Sequence, residues 1–162
     1  MGSGFFGKLP SAGDFVARGM PPGVRGPLDA WLSAHLVDIA RGACGWPEGG
    51  VRIVLQLGAS DWIILVEPSG DAVGRSYPLC VLVPLSGTDR AGADGWADGV
   101  WPLLLRAADG ECDADTLADA LRNTALPPAA GEALKPAVMW WAGQRADAPQ
   151  VLLPQLAQIS SC

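Results

Sequence analysis

Two apolar runs separated by a turn-forming loop constrain the fold of this chain more than any other feature. The first run, Trp62–Val66, is rich in β-branched residues and too short to be an independent helix, and the second spans Leu79–Leu85. The segment between them contains two prolines and two glycines. Short apolar runs bounded by turn residues are typical of buried strands. The pattern therefore predicts two core strands joined by a structured loop.

The loop between these runs carries three charged residues, Glu67, Asp71 and Arg75. A guanidinium has five donors in a planar fork, so Arg75 can reach a carboxylate or several loop carbonyl groups. The structural interpretation is that Arg75 pairs with a nearby aspartate and holds its own loop together. The functional interpretation is that the loop forms a surface for a partner or a ligand.

Length and charge limit the classes of protein that the chain can belong to. A chain of 162 residues suits a single domain over residues 1–162, and 49% hydrophobic residues with 17% charged residues indicate a globular protein. The net charge is −6, and the 11 lysines and arginines form no cluster that could displace counterions from a phosphate backbone. We therefore expect no nucleic-acid partner.

The four cysteines do not form a metal-binding pattern. They are widely spaced, with no CxxC pair and no histidine nearby, so we predict no zinc site and no other metal site. Cys80 lies inside an apolar run and is expected to be a small core residue. The chain shows no basic-then-apolar leader and no apolar run of membrane-spanning length, which predicts a cytoplasmic protein with reduced thiols and no membrane insertion.

The segment Gly4–Val16 combines aromatic residues with glycines and a proline, which predicts an extended strand followed by a sharp turn. Its two consecutive phenylalanines should point to opposite sides of an extended backbone. The structural interpretation is an edge strand whose aromatic rings close one end of the core. The functional interpretation gives Lys8, Ser11 and Asp14 a role at the surface.

A helix is predicted from Pro27, because proline fits the first turn and an acidic residue follows it. Arg41 and Gly42 mark its end. His35 falls on the apolar stripe of this helix, so we expect it to point inward and to act through packing rather than in catalysis. The residues that form the stripe are Leu28, Trp31, Leu32, His35, Leu36 and Ile39.

The rest of the chain predicts further strands and helices. We expect a strand at Val51–Leu57 that forms a hairpin with Trp62–Val66. A helix over 94–108, interrupted or kinked by Pro102, should follow, and then a helix capped by Asp113. Two further strands are predicted at Ala137–Ala142 and Gln150–Leu153. The predicted fold class is α/β: a single-domain sandwich of a mixed, mostly antiparallel sheet of about five strands flanked by helices.

Sequence motifs of enzymes are absent or weak. The segment Gly70–Arg75 has neither the spacing nor the lysine of a phosphate-binding loop, and it joins two strands instead of leading into a helix. Ser69 lacks the small-residue turn of a serine hydrolase. Glu67 and Asp71 could act as an acid–base pair, but carboxylates are common in loops. We predict no catalytic residue and no cofactor.

Three segments together resemble the TagF (ImpM) family of bacterial type VI secretion systems. Gly4–Val16, with its Gly-Lys-Leu-Pro-Ser-Ala-Gly-Asp-Phe sequence, and Asp29–Leu32 resemble the opening of that family, and Pro68–Leu79 resembles its second motif. Trp140 and Trp141 are similar to a late tryptophan motif. The chain departs from the family pattern at Ala72, where an arginine is usual, at Tyr77, where phenylalanine is usual, and in a shortened 45–60 region.

The resemblance implies a cytoplasmic accessory protein that restrains assembly of the secretion apparatus after translation. It implies binding to another component, notably a forkhead-associated-domain protein, and no catalytic residues. The alternative is a small-ligand enzyme that uses Asp14, Asp71 and Arg75 in a pocket beside the central loop. In either case we expect the two motifs to meet, with Asp14 or Asp71 within ion-pair distance of Arg75. The candidate partner-binding or motif residues are Lys8, Ser11, Asp14, Ser69, Asp71, Arg75 and Ser76, of which Lys8, Ser11, Asp71 and Ser76 are expected to be exposed.

Overall fold

An antiparallel sheet with helices on both faces forms the framework of the protein. The computed structural model describes residues 3–162. Within them the strands are β1 (Gly4–Lys8), β2 (Phe15–Arg18), β3 (Val51–Leu57), β4 (Ser60–Glu67), β5 (Leu79–Pro84) and β6 (Val138–Trp140). The helices are α1 (Arg25–His35), α2 (Val37–Ala40), α3 (Arg90–Ala108), α4 (Ala114–Arg122) and α5 (Pro149–Ser160).

The strand order across the sheet is β2-β1-β5-β4-β3-β6, and each of these neighbouring pairs is antiparallel. The predicted hairpin is confirmed: β3 pairs with β4 in the register that places Val51 opposite Val66 and Leu57 opposite Ser60. The predicted α/β sandwich is also confirmed, with six strands instead of about five. The loop between the two apolar runs therefore joins two adjacent central strands, β4 and β5.

The central strands are mainly apolar because helices cover both faces of the sheet. In β4, Trp62 and Ile64 belong to one core cluster, whereas Ile63 and Leu65 belong to the other. Helices α1, α2 and α5 pack on the first face, and α3 and α4 pack on the second. Phe6 and Phe5 separate in the same way, as their positions on an extended strand predict.

Helix boundaries follow local chemistry at several positions. Asp113 caps α4 as predicted, since its carboxylate accepts a hydrogen bond of 2.9 Å from the Thr116 amide. Asp89 does the same for α3 through the Gly92 amide, so α3 begins four residues earlier than the sequence pattern indicated. Pro102 lies within α3, and the helix continues without interruption through it.

Two predictions about helices are wrong. Gln150–Leu153 is not a strand but part of α5, in which Pro149 occupies the first turn and Leu152 and Leu156 are buried one turn apart. His35 is exposed and lies beside Trp31, with 4.9 Å between the ring centroids. The reason is that Leu28, Leu32 and Leu36 are buried at four-residue spacing, and His35 lies beside this stripe on the solvent side with Trp31.

The prediction that the thiols are all reduced is also contradicted. Cys44 and Cys162 are joined by a disulfide, although 118 residues separate them in sequence. Cys80 is buried in the core as predicted, and burial raises the pKa of its thiol to about 12. Among residues 3–162, no helix is both long enough and apolar enough to cross a membrane.

Candidate functional site

The loop from Pro68 to Pro78 folds back on itself between β4 and β5. The amide of Asp71 donates to the carbonyl oxygen of Arg75 at 3.0 Å, and the amide of Gly74 donates to the carbonyl oxygen of Asp71 at 3.0 Å. Gly74 has a φ of 84°, a conformation that a side chain would strain. The result is a tight turn over residues 71–75, closed at its base by a bridge between Gly70 and Ser76.

Asp71 organises this turn from inside. Its side chain is fully buried, and its Oδ1 atom accepts hydrogen bonds from the amides of Val73, at 3.1 Å, and Arg75, at 2.9 Å. Its Oδ2 atom accepts from Nε of Arg75 at 2.7 Å and lies 3.3 Å from Nζ of Lys8. Burial alone would raise the pKa of Asp71, but these donors outweigh it and lower the pKa to about 2. Asp71 is therefore a permanently ionised structural anchor at neutral pH.

Lys8 supplies the second positive charge on Asp71 from strand β1. Only 8% of the residue is exposed, and its ammonium group lies 4.9 Å from the centroid of the Phe15 ring. The expectation that Lys8 and Asp71 lie at the surface is therefore wrong. The two residues are 63 positions apart, and each charge is buried because it neutralises the other.

The two motifs meet as predicted, and three hydrogen bonds join them. Nη2 of Arg75 donates to the carbonyl oxygen of Gly13 at 2.8 Å, and the amide of Ala72 donates to the carbonyl oxygen of Ala12 at 2.8 Å. The hydroxyl of Ser69 donates to the carbonyl oxygen of Lys8 at 2.7 Å. The predicted ion pair of Arg75 forms with Asp71. The central loop is thus bonded to the hairpin loop between β1 and β2.

The outer face of these two loops is open to solvent. We call it the two-loop surface and define it as residues 11–14 and 72–75. Ser11 and Asp14 are exposed, and the carboxylate of Asp14 accepts a hydrogen bond from the following amide at 2.7 Å. Val73 stands at its tip with 71% of the residue exposed, and the Arg75 side chain is 60% exposed. Ser69 and Ser76 lie half-buried below it.

An aromatic cluster supports the loops from below. The Tyr77 ring contacts Phe15 edge-on with 4.7 Å between centroids and Phe6 edge-on with 5.9 Å. The Tyr77 hydroxyl donates a 2.5 Å hydrogen bond to the Asp29 carboxylate on α1. Burial, and then the Asp29 carboxylate, raise the pKa of Tyr77 far above its ordinary value. Asp29 therefore connects helix α1 to the same site.

Comparison with known proteins agrees with this arrangement. The family described as "TagF N-terminal domain, Type VI secretion system-associated" matches residues 4–124. The chain belongs to the TagF family. All the residues that build the two loops and their aromatic support fall within the matched range, whereas the Trp140–Trp141 pair lies outside it.

Among solved structures, the match described here covers nearly the whole length of this TagF protein. The crystal structure of PA0076 from Pseudomonas aeruginosa PAO1 has 27% sequence identity and a TM-score of 0.64. The similarity covers 98% of this chain and 78% of that chain. No curated protein sequence gives a significant match. These findings establish a type VI secretion-associated protein.

A second charged network in this TagF protein was missed at the sequence level. Arg52, whose side chain is almost fully buried in β3, contacts Asp94 at 2.6 Å through Nη1 and Asp98 at 2.7 Å through Nη2. Trp140 donates to the same Asp94 carboxylate at 2.8 Å, and Arg90 contacts its other oxygen at 3.2 Å. Burial would raise the pKa of Asp94, but these donors lower it. The i, i+4 spacing of three charged residues on α3 was the available signal.

Glu67 is the other buried charge near the central loop. Only 6% of the residue is exposed, and its Oε1 atom accepts a 2.7 Å hydrogen bond from the indole of Trp101. Burial raises the pKa of Glu67 to about 7; the Trp101 hydrogen bond opposes this shift, and the charge of Asp109 adds to it. Glu67 contacts Trp101 of α3, whereas Asp71 contacts Lys8 and Arg75, so the two carboxylates do not contact each other.

The carboxylates at the two loops differ in their surroundings. The Asp71 carboxylate is enclosed and already accepts from three amide or guanidinium donors beside the Lys8 ammonium, so it has no free oxygen for proton transfer. Asp14 is exposed, and its carboxylate accepts from the Phe15 amide. In the part of the chain that the structure describes, no group of three or more histidine, cysteine or acidic side chains is placed to hold a metal ion.

Proposed function

We propose that this TagF protein is a post-translational negative regulator of type VI secretion assembly that acts by binding a protein partner through the two-loop surface. The observation that carries the proposal is the presentation of Val73. This valine is 71% exposed on a turn whose backbone is fixed by a buried, doubly paired aspartate.

A single exposed valine needs no explanation by itself. The buried charges of Asp71 and Lys8 do need an explanation, because a buried ion pair contributes little net stability once the cost of desolvation is included. Asp71 instead fixes the conformation of residues 71–75 through two backbone amides and the Arg75 side chain. A loop that is already ordered loses less conformational entropy when it binds, which favours a docking role.

Binding rather than catalysis is the activity that the residues support. The enzyme alternative needs Asp14, Asp71 and Arg75 to converge on a substrate. Asp71 faces inward and is saturated, and the Arg75 guanidinium is already bonded to Asp71 and to the Gly13 carbonyl oxygen, whereas Asp14 is exposed. We therefore assign no catalytic residue and no cofactor to the protein.

The resemblance to the TagF family suggests the partner: a forkhead-associated-domain protein of the same secretion system, in the cytoplasm. The mixed character of the two-loop surface suits a protein partner, since Val73 offers an apolar contact and the exposed Ser11, Asp14 and Arg75 offer polar groups. The net charge of −6 disfavours nucleic acid.

We also propose that residues 1–162 act as one unit. Strand β6 lies beyond the family match, yet it extends the sheet beside β3, and Trp140 is fully buried in the core shared with α3 and α4. Removal of this segment would expose that core.

The test uses Val73→Ser with Val151→Ser as its matched control. Val151 is also an exposed valine, at 45%, but it lies on α5. We expect Val73→Ser to weaken binding to the purified forkhead-associated-domain component by about tenfold, because truncation of a residue in the hot spot of an interface costs more than about 1 kcal/mol. Secretion by cells that overproduce the variant should rise accordingly.

Val151→Ser should bind and repress like the wild type, and both variants should keep the wild-type melting temperature because neither side chain is buried. Lys8→Glu is unsuitable as a surface test, since it would place two carboxylates together in the interior. If folded Val73→Ser, alone and combined with Ser11→Trp, still binds and represses fully, the partner surface lies elsewhere.

A further inference from the structure

The disulfide between Cys44 and Cys162 joins two elements on the same face of the sheet. Cys44 follows α2, and Cys162 follows the end of α5 at Ser160. Their Cα atoms are 5.6 Å apart, a separation that a disulfide requires. The link therefore closes 118 residues of chain and ties the end of α5 to the loop beside α2.

Both cysteines of this link are exposed to solvent, so a small thiol can reach the bond. Exposed disulfides exchange with thiols more readily than buried ones. The two free cysteines are less suited to compete. Cys80 is buried and its thiol pKa is raised to about 12 by burial, and burial also raises the pKa of the half-buried Cys112.

The backbone around the link brings the two sulfurs together without help from the bond. The amide of Cys44 donates to the carbonyl oxygen of Ser160 at 3.0 Å. A side chain at Gly45 would overlap the carbonyl oxygen of Ile159, so glycine permits this close approach. When the last turn of α5 lies on α2, these contacts bring the two thiols together, so the bond can form again.

Packing at the end of α5 is weak in comparison with its beginning. Leu152 and Leu156 are buried in the core, but Ile159 is 46% exposed. Ser160 is buried, and its hydroxyl has no hydrogen-bond partner. A surface groove of about 440 Å³ runs beside this last turn and α2 and is lined by residues of both helices, including Ile39 and Ala157.

We propose that Cys44 and Cys162 form a redox-sensitive latch that fixes the last turn of α5 on α2 when oxidised and releases it when reduced. The oxidant is a glutathione-type disulfide. One thiolate attacks the disulfide and displaces one glutathione thiolate; the second thiolate then attacks the mixed disulfide and displaces the other. Two protein thiols and one oxidised glutathione thus give one protein disulfide and two reduced glutathiones.

The latch would regulate the α2–α5 face independently of the two-loop surface. Release of the last turn widens the 440 Å³ groove and exposes the buried Ser160, whereas the central strands and the loops around Asp71 stay in place. The inference therefore stands whether or not the two-loop surface binds the proposed partner.

The experiment equilibrates the purified full chain in buffers of reduced and oxidised glutathione and measures the mass, the thermal melt and the amide hydrogen exchange of residues 157–162. In the oxidised protein we expect a Cys44–Cys162 link, a melting temperature higher by about 10 °C, and exchange in this segment slower by at least about tenfold. Cys162→Ser should match the reduced protein in both buffers, and Cys112→Ser should respond like the wild type.

Three results would overturn the latch. The first is that all four thiols remain free at high oxidised glutathione. The second is that the bond forms but resists reduced glutathione at every ratio, which would make it a static link. The third is equal exchange of residues 157–162 in the oxidised and reduced protein.

Discussion

Glu67 makes the stability of this protein depend on pH in the neutral range. Its carboxylate is buried at the end of β4 against Trp101, and its pKa is about 7 compared with an ordinary value of 4.5. The folded protein therefore binds this proton more tightly than the unfolded chain does. The substitution Glu67→Gln removes the titration and keeps an oxygen that can accept the Trp101 hydrogen bond.

The sign of the effect follows from the direction of the shift. The stabilising contribution of the protonated group is fully present below pH 4.5, where both states hold the proton, and is lost as pH rises through 7. Each pKa unit corresponds to about 1.4 kcal/mol, so this one group should lower the free energy of unfolding by about 3 kcal/mol across that window. The lowered pKa values of Asp71 and Asp94 act in the opposite direction and at more acidic pH.

Urea denaturation followed by tryptophan fluorescence at pH 5, 6, 7 and 8 would measure this dependence. We expect the free energy of unfolding of the wild type to fall over this range and that of Glu67→Gln to change much less. At pH 8 the variant should be the more stable protein by up to about 3 kcal/mol. The disulfide is kept oxidised in every sample so that the link contributes equally.

Glu132→Gln is the matched control because Glu132 is exposed. The free energy of unfolding of Glu132→Gln should change with pH in the same way as that of the wild type. Parallel curves for the wild type and Glu67→Gln would refute the reasoning, since they would mean that Glu67 titrates alike in the folded and unfolded chains.

Two further predictions concern the other charged groups. Arg75→Ala should lower the free energy of unfolding by only about 1–2 kcal/mol, because the Asp71 carboxylate keeps its two backbone amide donors and the Lys8 ammonium. A loss above about 4 kcal/mol in urea denaturation would instead show that Arg75 alone compensates the buried carboxylate. Arg52→Ala should lower the free energy of unfolding by about 3 kcal/mol or more, because its partners lose a buried guanidinium. Arg106→Ala breaks an exposed pair and should lower it by less than about 1 kcal/mol. Similar thermal melts for the two variants would contradict this difference.

The central strands and the meeting of the two motifs were predictable from sequence because both depend on local pattern. Continuous apolar runs occur where helices cover both faces of a sheet, as they do for β4 and β5. Tight turns need glycine where φ is positive, and Gly74 satisfies this requirement. The cap of α4 at Asp113 is equally local.

The wrong predictions concern properties that only the tertiary structure decides. Gln150–Leu153 is a short apolar run with a β-branched residue, and it becomes a helix because Leu152 and Leu156 reach the core together only at helical spacing. Lys8 was expected at the surface because an unpaired ammonium is too costly to bury. It is buried because the fold brings Asp71 to it, and nothing near Lys8 in sequence indicates that contact.

The pairing of Arg52 with α3 has a consequence for how this helix can lie on the sheet. Positions 90, 94, 98 and 102 follow one another along the helix at intervals of about one turn and carry arginine, aspartate, aspartate and proline. If α3 slid by one turn in one direction, Arg52 would face Asp98 and a proline, and one of its nitrogens would lose its carboxylate. If it slid in the other direction, Arg52 would face Arg90, and two guanidinium groups would repel each other. The order of these four side chains thus favours the observed position of α3 along the strands, because only there does Arg52 meet two carboxylates.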